Sequence, residues 1–320
     1  MRTVPPVRCA FYIERAAIGE LAAILNEVFQ HLSTITGLFG NDMKHFIIIF
    51  VLLTSQAIAQ VPKLYNHIAN DVHLIHSRVL NQDRQIYINV PKLDSVDSNK
   101  ALPVLYLLDG ENHFHILSAY IEYLRHWQVI PPIIIVGIVS LDRIKDLTPI
   151  TSLTDFDGKV SPTYKTSGGN EQFLNFIQQE LMPYIKANYK TSSFKLFAGH
   201  SFGGLTVINC MLTRPDMFDA YIAISPSIWF GNKYILPVAE QKLPKLPMRD
   251  KKLFYSVGNE DGTFRNDLLR FNKLVKQNRL KTFEHKYKYY PYEDHMTEPI
   301  PAYYDAIRFV YKNWKYDPTK

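Results

Sequence analysis

An α/β fold with a mostly parallel central sheet flanked by helices is predicted from three features of the 320-residue sequence. Short apolar runs alternate with helix-like stretches along most of the chain, which is the order that builds a parallel sheet with right-handed crossovers. Two of those runs, Val104 to Leu108 and Ile133 to Val139, are continuously apolar, as strands buried on both faces must be. A third run, Leu196-Phe197-Ala198, leads into Gly199-His200-Ser201-Phe202-Gly203-Gly204 and then a helical stretch, Leu205 to Leu212. Hydrophobic residues make up 47% of the chain, ample for one large core.

Residues 43–60 read MKHFIIIFVLLTSQAIAQ. Lys44 gives a positive start, Phe46 to Leu53 an apolar run too short to span a bilayer, and Ala57-Ile58-Ala59 the small residues of a cleavage site. The pattern predicts a signal peptide over 43–59, with Met43 as a second initiator and residues 1–42 as an upstream extension outside the mature protein. The mature part, 60–320, is then a single domain that is periplasmic or secreted, with no stable membrane insertion after cleavage. Of the two cysteines Cys9 is removed with the extension, so Cys210 is alone, forms no internal disulfide, and is expected as a small buried residue. The net charge of +6 is scattered without blocks, which gives no reason to expect nucleic acid as a partner.

Val72 to Leu80 and Arg84 to Val90 predict a hairpin at the sheet edge, turning at Asn81-Gln82-Asp83. Phe114 to Trp127 predicts a helix between the two apolar strands. Ser140 to Gly169 has little periodicity, and its length marks a functional loop. A helix follows from Glu171 to Asn188. After the Gly-rich turn and its helix come strands at Asp219 to Ser225, Lys252 to Val257 and Phe283 to Tyr289, and helices at Asp267 to Arg279 and Pro301 to Trp314.

Gly-x-Ser-x-Gly between a strand and a helix is the context of a nucleophile elbow. The serine must stand clear of the backbone on a sharp turn, and the close approach of the flanking chain excludes side chains at Gly199, Gly203 and Gly204. Ser201 is the candidate nucleophile. Phe202, the next residue, offers its N–H to an oxyanion at the start of a helix. The second oxyanion donor belongs in the loop after Leu108, where the N–H of Glu111 is the first choice and that of Asn112 the next. The acid and base follow the serine in chain order. Glu260, ranked ahead of its neighbour Asp261, sits just past a strand, and His295 lies in the loop Tyr292-Glu293-Asp294-His295-Met296.

Asp109 is read as a carboxylate that holds its turn by bonding backbone N–H groups. Arg143 is a candidate substrate contact through a carboxylate or catecholate oxygen, or else an ion-pair partner of Asp146. Ser225 to Phe230, with Trp229, is expected to form an apolar wall of the acyl or leaving-group pocket, or else ordinary core. His113 and His115 stand at i, i+2 without a third ligand nearby, so no metal site is expected. The sequence contains no Gly-rich phosphate motif.

In their order along the chain, VLYLLDG (104–110), Val136-Gly137-Ile138, Arg143 to Pro149, Glu180 to Ile185, GHSFGG (199–204), Ser225 to Trp229 and Glu293-Asp294-His295 resemble the esterase D and enterochelin esterase-like family of α/β-hydrolase esterases. The resemblance covers about Tyr87 to Trp314. It implies an α/β-hydrolase fold and hydrolysis of small-molecule carboxylic esters without a cofactor, through an acyl-enzyme on Ser201 with His295 as base. The family spans siderophore, feruloyl, acetyl and acyl-transfer substrates. Siderophore-type esters are the leading expectation, with a feruloyl or acetyl carbohydrate esterase or an acyltransferase as the alternative. A non-enzymatic binding module of the same fold ranks below these, because both nucleophile and base are present.

Overall fold

A computed structural model describes residues 71–93, 100–260, 262–278 and 282–316. The chain divides into two units, residues 1–65 and 66–320, and every described residue belongs to the second. The expected upstream extension and signal peptide, and Asp261, lie outside the described residues.

The chain enters a hairpin, β1 (Asp71–Ser77) and β2 (Gln82–Asn89), paired antiparallel from Asp71↔Ile88 to Ser77↔Gln82. Asn81 makes the turn at φ 51°, a conformation that its short polar side chain tolerates. Next come β3 (Leu102–Leu108), α1 (Gly110–His126), β4 (Ile134–Ile138) and the short α2 (Arg143–Leu147). The predicted 171–188 helix begins one residue earlier and is not regular throughout. It consists of α3 (Asn170–Phe176), a π-helical stretch Ile177–Leu181, and α4 (Met182–Asn188). Pro183, which has no N–H to give back to the preceding turn, follows the widened stretch. The remaining elements are β5 (Thr191–His200), α5 (Phe202–Thr213), β6 (Ala220–Ile224), α6 (Ile235–Lys242), β7 (Lys252–Val257), α7 (Gly262–Gln277), β8 (Glu284–Tyr289) and α8 (Pro299–Val310).

The eight strands lie in the order β1-β2-β4-β3-β5-β6-β7-β8. Strands β3 to β8 are mutually parallel, and the antiparallel pairings are those of the hairpin, β1 with β2 and β2 with β4. Successive residues of β3 explain the continuous apolar run. Val104, Tyr106 and Leu108 belong to one buried layer and Leu105 and Leu107 to the other. Each fully buried large apolar side chain of this kind contributes roughly 1.5–3 kcal/mol.

The long segment after β4 is anchored by polar groups from the layer it covers. Arg84 of β2 forks onto Asp146 of α2, Nη1 to Oδ2 at 2.6 Å and Nη2 to Oδ1 at 2.9 Å, and both side chains are buried. Asn170 donates to the Asp146 carbonyl at 2.7 Å, and Thr206 of α5 donates to the Leu147 carbonyl at 2.9 Å. The predicted alternative of an Arg143–Asp146 pair is therefore corrected: Arg84, the nearest buried cation, takes Asp146.

Candidate active site

In a parallel sheet every strand ends on the same edge, so the chain leaves β3, β5, β6 and β7 at one rim. Asp109, Ser201, Ser225 and Glu260 follow those four strand ends. The turn after β5 is as tight as its sequence demands. A Cβ on Gly199 would stand 2.5 Å from the Gly203 carbonyl carbon. Ser201 is held at φ 59°, ψ −117°, well off the ordinary wells of an L-residue, and its N–H donates to the Ile224 carbonyl at 2.9 Å. Such strain persists only where the surroundings fix it, and here β6 and α5 clamp both sides of the turn.

The Ser201 hydroxyl is 3.2 Å from Ser227 Oγ. Ser227 is buried and its own N–H donates to the Ser201 carbonyl at 3.1 Å. His295 closes no bond to Ser201 in this state; its Nδ1 lies 2.8 Å from Glu260 Oε2 and 3.2 Å from Ser225 Oγ. Ser225, at φ 39°, also donates to Glu260 Oε1. The carboxylate takes a further N–H from Gly258 at 3.3 Å. Gly258 lets the His295 loop cross β7's exit, because a Cβ there would meet the Glu293 carbonyl oxygen at 2.6 Å. Asn259 N–H donates to that carbonyl, and Asp294 turns the loop into α8 by accepting from the Met296 and Thr297 N–H groups at 2.9 Å each.

On the other side of Ser201, Asp109 opens α1 at φ 51° and is buried against Arg143. The guanidinium meets it through Nε to Oδ1 at 2.7 Å and Nη2 to Oδ2 at 2.8 Å, and Nη2 also donates to the His200 carbonyl at 3.2 Å. Contrary to the expectation from sequence, the Asp109 carboxylate does not hold its turn through backbone N–H groups; it takes the Arg143 guanidinium instead, and only the backbone carbonyl caps the turn. The Asn112 and His113 N–H groups both donate to the Asp109 carbonyl, at 3.0 and 3.1 Å. Of the two proposed second oxyanion donors, Asn112 is thereby committed elsewhere. The Glu111 N–H faces its own carboxylate, which also accepts from Ser140 N–H at 3.4 Å. Phe202 N–H is the first of α5, where no earlier turn supplies a carbonyl.

A cleft of about 540 Å³ opens over these groups, bounded by Asp109, Arg143, Ser201 and His295 and rimmed by Met296 and Ile300. Trp229 does not line it. The indole is buried in an aromatic stack with Phe202 at 5.6 Å, Tyr164 at 6.0 Å, and Phe156 and Phe264 at 6.1 Å. Phe264 in turn stands 5.8 Å from the His295 ring. The expected apolar wall of the pocket is not formed: Ile228, Trp229 and Phe230 are buried in the core, the other reading of that stretch, while Ser225 and Ser227 face the polar centre, which a reading by hydropathy alone misses.

His113 lies 5.5 Å from His200, and His115 packs on Phe114 instead, so the i, i+2 pair is divided between two environments. Among the described residues no group of three His, Cys, Asp or Glu side chains is placed to hold a metal ion. His200 is buried 4.5 Å from the His295 ring, and burial, then the neighbouring His295, push it well below the usual histidine range. It stays neutral beside a histidine that would gain charge. Cys210 is buried in α5 and unbonded to any other cysteine, and burial raises its thiol above the usual range.

An eight-stranded sheet among the described residues, with a strained serine after its central strand and a carboxylate-bound histidine across the rim, is the architecture of the α/β-hydrolase fold. The chain belongs to the family described as "Putative esterase", which matches residues 77–308. It is 33% identical over 181 residues to ferri-bacillibactin esterase BesA of Bacillus subtilis, covering 52% of this chain and 61% of that protein. It is 34% identical over 161 residues to the siderophore enterobactin esterase of Emericella nidulans, covering 45% of this chain and 52% of that one. The matched stretch thus spans little more than half the length of these relatives. Among solved structures, the IroE-like serine hydrolase from Shewanella oneidensis superposes with a TM-score of 0.73 at 32% identity, over 77% of this chain and 81% of that one.

Proposed function

We propose that this protein is a carboxylic ester hydrolase that cleaves siderophore-type esters through an acyl-enzyme on Ser201. The observation that carries the chemistry is the strained Ser201 facing a histidine whose Nδ1 is held by Glu260 at 2.8 Å. Ser201 Oγ leaves Ser227 and attacks the ester carbonyl while His295 Nε2 takes its proton. Glu260 holds the imidazolium that forms. The oxyanion collects on the Phe202 N–H and, once the Glu111 carboxylate swings aside, on the Glu111 N–H. His295 then returns the proton to the leaving alcohol, and water repeats the sequence in reverse to release the acid. Hydrogen bonds that are long without substrate and tighten with it are usual for such sites.

The substrate class rests on the relatives named as siderophore esterases, with the esterase D-like segments as support. The signal-like segment at 43–59 supports action outside the cytoplasm, and no helix among the described residues is long and apolar enough to cross a membrane. The test pairs Ser201→Ala with two substrates. Wild-type protein is incubated with a catecholate tri-ester siderophore and with a feruloylated sugar, and released acid is read by chromatography. Release from the siderophore that disappears in Ser201→Ala is the expected result. Release only from the sugar would overturn the substrate class, and activity retained in Ser201→Ala would overturn the mechanism.

A further inference from the structure

Behind the Glu260–His295 pair the fold encloses a second carboxyl that the mechanism above does not use. Glu298 precedes α8, is fully buried, and neither of its carboxyl oxygens closes a hydrogen bond. Its surroundings are Ser256 of β7, the Gly258 N–H, Ser225 and Glu260. The Ser256 hydroxyl is likewise buried without a partner. No cation answers Glu298 among these neighbours. Tyr287 and Tyr290, from β8 and its end, and Tyr303 of α8 add only phenols. The helix packed across α8 is α1, whose His113 ring lies 5.4 Å from Tyr303 and is held below the usual histidine range by burial; α7 presents Arg265, whose guanidinium lies over the Tyr289 ring at 3.9 Å.

An ionised carboxylate in such a place would be a buried, unpaired charge beside a second negative charge, which folded proteins avoid by keeping the proton. We propose that Glu298 is a positioning residue that stays protonated and keeps the Glu260–His295 pair singly charged. As an acid it can donate to the orphaned Ser256 hydroxyl, and it leaves Ser225 free to donate to Glu260. Burial, and then Glu260, push its pKa up to about 8 against the opposing pull of the Ser256, Gly258 and Ser225 donors, in keeping with that state. When the proton leaves, two anions compete for Ser225 and the Gly258 N–H, and Glu260 loses its fixed orientation toward His295. The inference rests on the esterase reading for its kinetic consequence, not for the protonation itself.

Two measurements on the full chain test it. First, kcat for p-nitrophenyl butyrate, corrected for spontaneous hydrolysis, is followed from pH 6 to 10 in wild type and Glu298→Gln. The wild-type rate is expected to fall about 3- to 10-fold as pH rises through about 8, the effect of one lost hydrogen bond in the pair. That fall disappears in Glu298→Gln, whose amide cannot ionise. Superposable profiles would overturn the proposal, since a merely structural carboxyl changes the height of the profile and not its shape. Second, infrared spectra of wild type labelled with ¹³C at glutamate carboxyls should show a protonated-acid C=O stretch at pH 7 that is lost through about pH 8. Absence of that band at pH 7 overturns the proposal whether or not Glu298→Gln folds. A titrating band in a protein that hydrolyses no ester would sink the esterase reading and leave Glu298 as described.

Discussion

Arg143 grips Asp109 through two parallel bonds and spends a further one on the carbonyl of His200, the residue before Ser201. One guanidinium thereby ties the start of α1, which carries the Glu111 N–H, to the turn that carries the Phe202 N–H. Lysine cannot reproduce a planar fork with a third donor.

Arg143→Lys should therefore lower kcat for a test ester about 10-fold or more through loosened oxyanion donors. Arg143→Ala should cost about 2–3 kcal/mol in urea unfolding, below the usual 3–5 for an enclosed pair because Arg143 is about one-third exposed. Arg84→Ala, which strands the enclosed Asp146, should cost about 3–5 kcal/mol and weaken catalysis less than Arg143→Lys does. Equal catalytic losses in Arg84→Ala and Arg143→Lys would remove the special role given to Arg143.

Glu260 is the carboxylate bonded to His295 Nδ1, so Glu260→Gln should keep the fold and cost ~10²- to 10⁴-fold in kcat. Asp261→Asn, assayed beside it, should change kcat by less than about 3-fold, because Glu260 already holds His295 Nδ1. A reversal of the two results would move the acid to Asp261.

Ser225 joins the Glu260 carboxylate to the His295 ring from a backbone conformation that favours glycine. Both Ser225→Ala and Ser225→Gly lose the hydroxyl and should lower kcat about 3- to 10-fold. They should differ in stability, with the glycine variant higher by about 1 kcal/mol because φ 39° strains any Cβ. Thermal unfolding and steady-state rates, measured on the same preparations, separate the two effects.

Much of the sheet was legible because β3 and β4 are buried on both faces, and burial writes itself into composition as unbroken apolar runs. The elbow was legible because Gly199 leaves no room for a side chain. Partner choice was not. Arg143 and Asp146 are three residues apart in the sequence, yet each pairs with a residue more than thirty positions away, Asp109 and Arg84, brought near by strand order. The helix α6 was missed because its eight residues hold a proline and mixed polarity. Ser225 and Ser227 were hidden between apolar neighbours, and Glu298 lay before the expected helix start at Pro301, where nothing in the local pattern marks burial.

Two buried groups near the site should pull stability in opposite directions with pH. His200 is held well below the ordinary histidine value of 6.5, so beneath that pH the unfolded chain binds a proton that the folded chain refuses. Stability from this group is present above 6.5 and is lost as pH falls. Glu298 is raised from 4.5 to about 8, so between those values the folded chain holds a proton that the unfolded chain has released. Stability from this group is lost as pH rises through that window. Each contributes a slope of up to about 1.4 kcal/mol per pH unit, with opposite sign. From 4.5 to 6.5 the two slopes oppose one another, and above 6.5 the glutamate acts alone. In urea unfolding at a series of pH values, His200→Asn should lose stability, relative to wild type, progressively less toward acid pH. Glu298→Gln should gain on wild type as pH rises from 5 to 8. Parallel pH curves for wild type and either variant would show that the corresponding group titrates alike in the folded and unfolded chain.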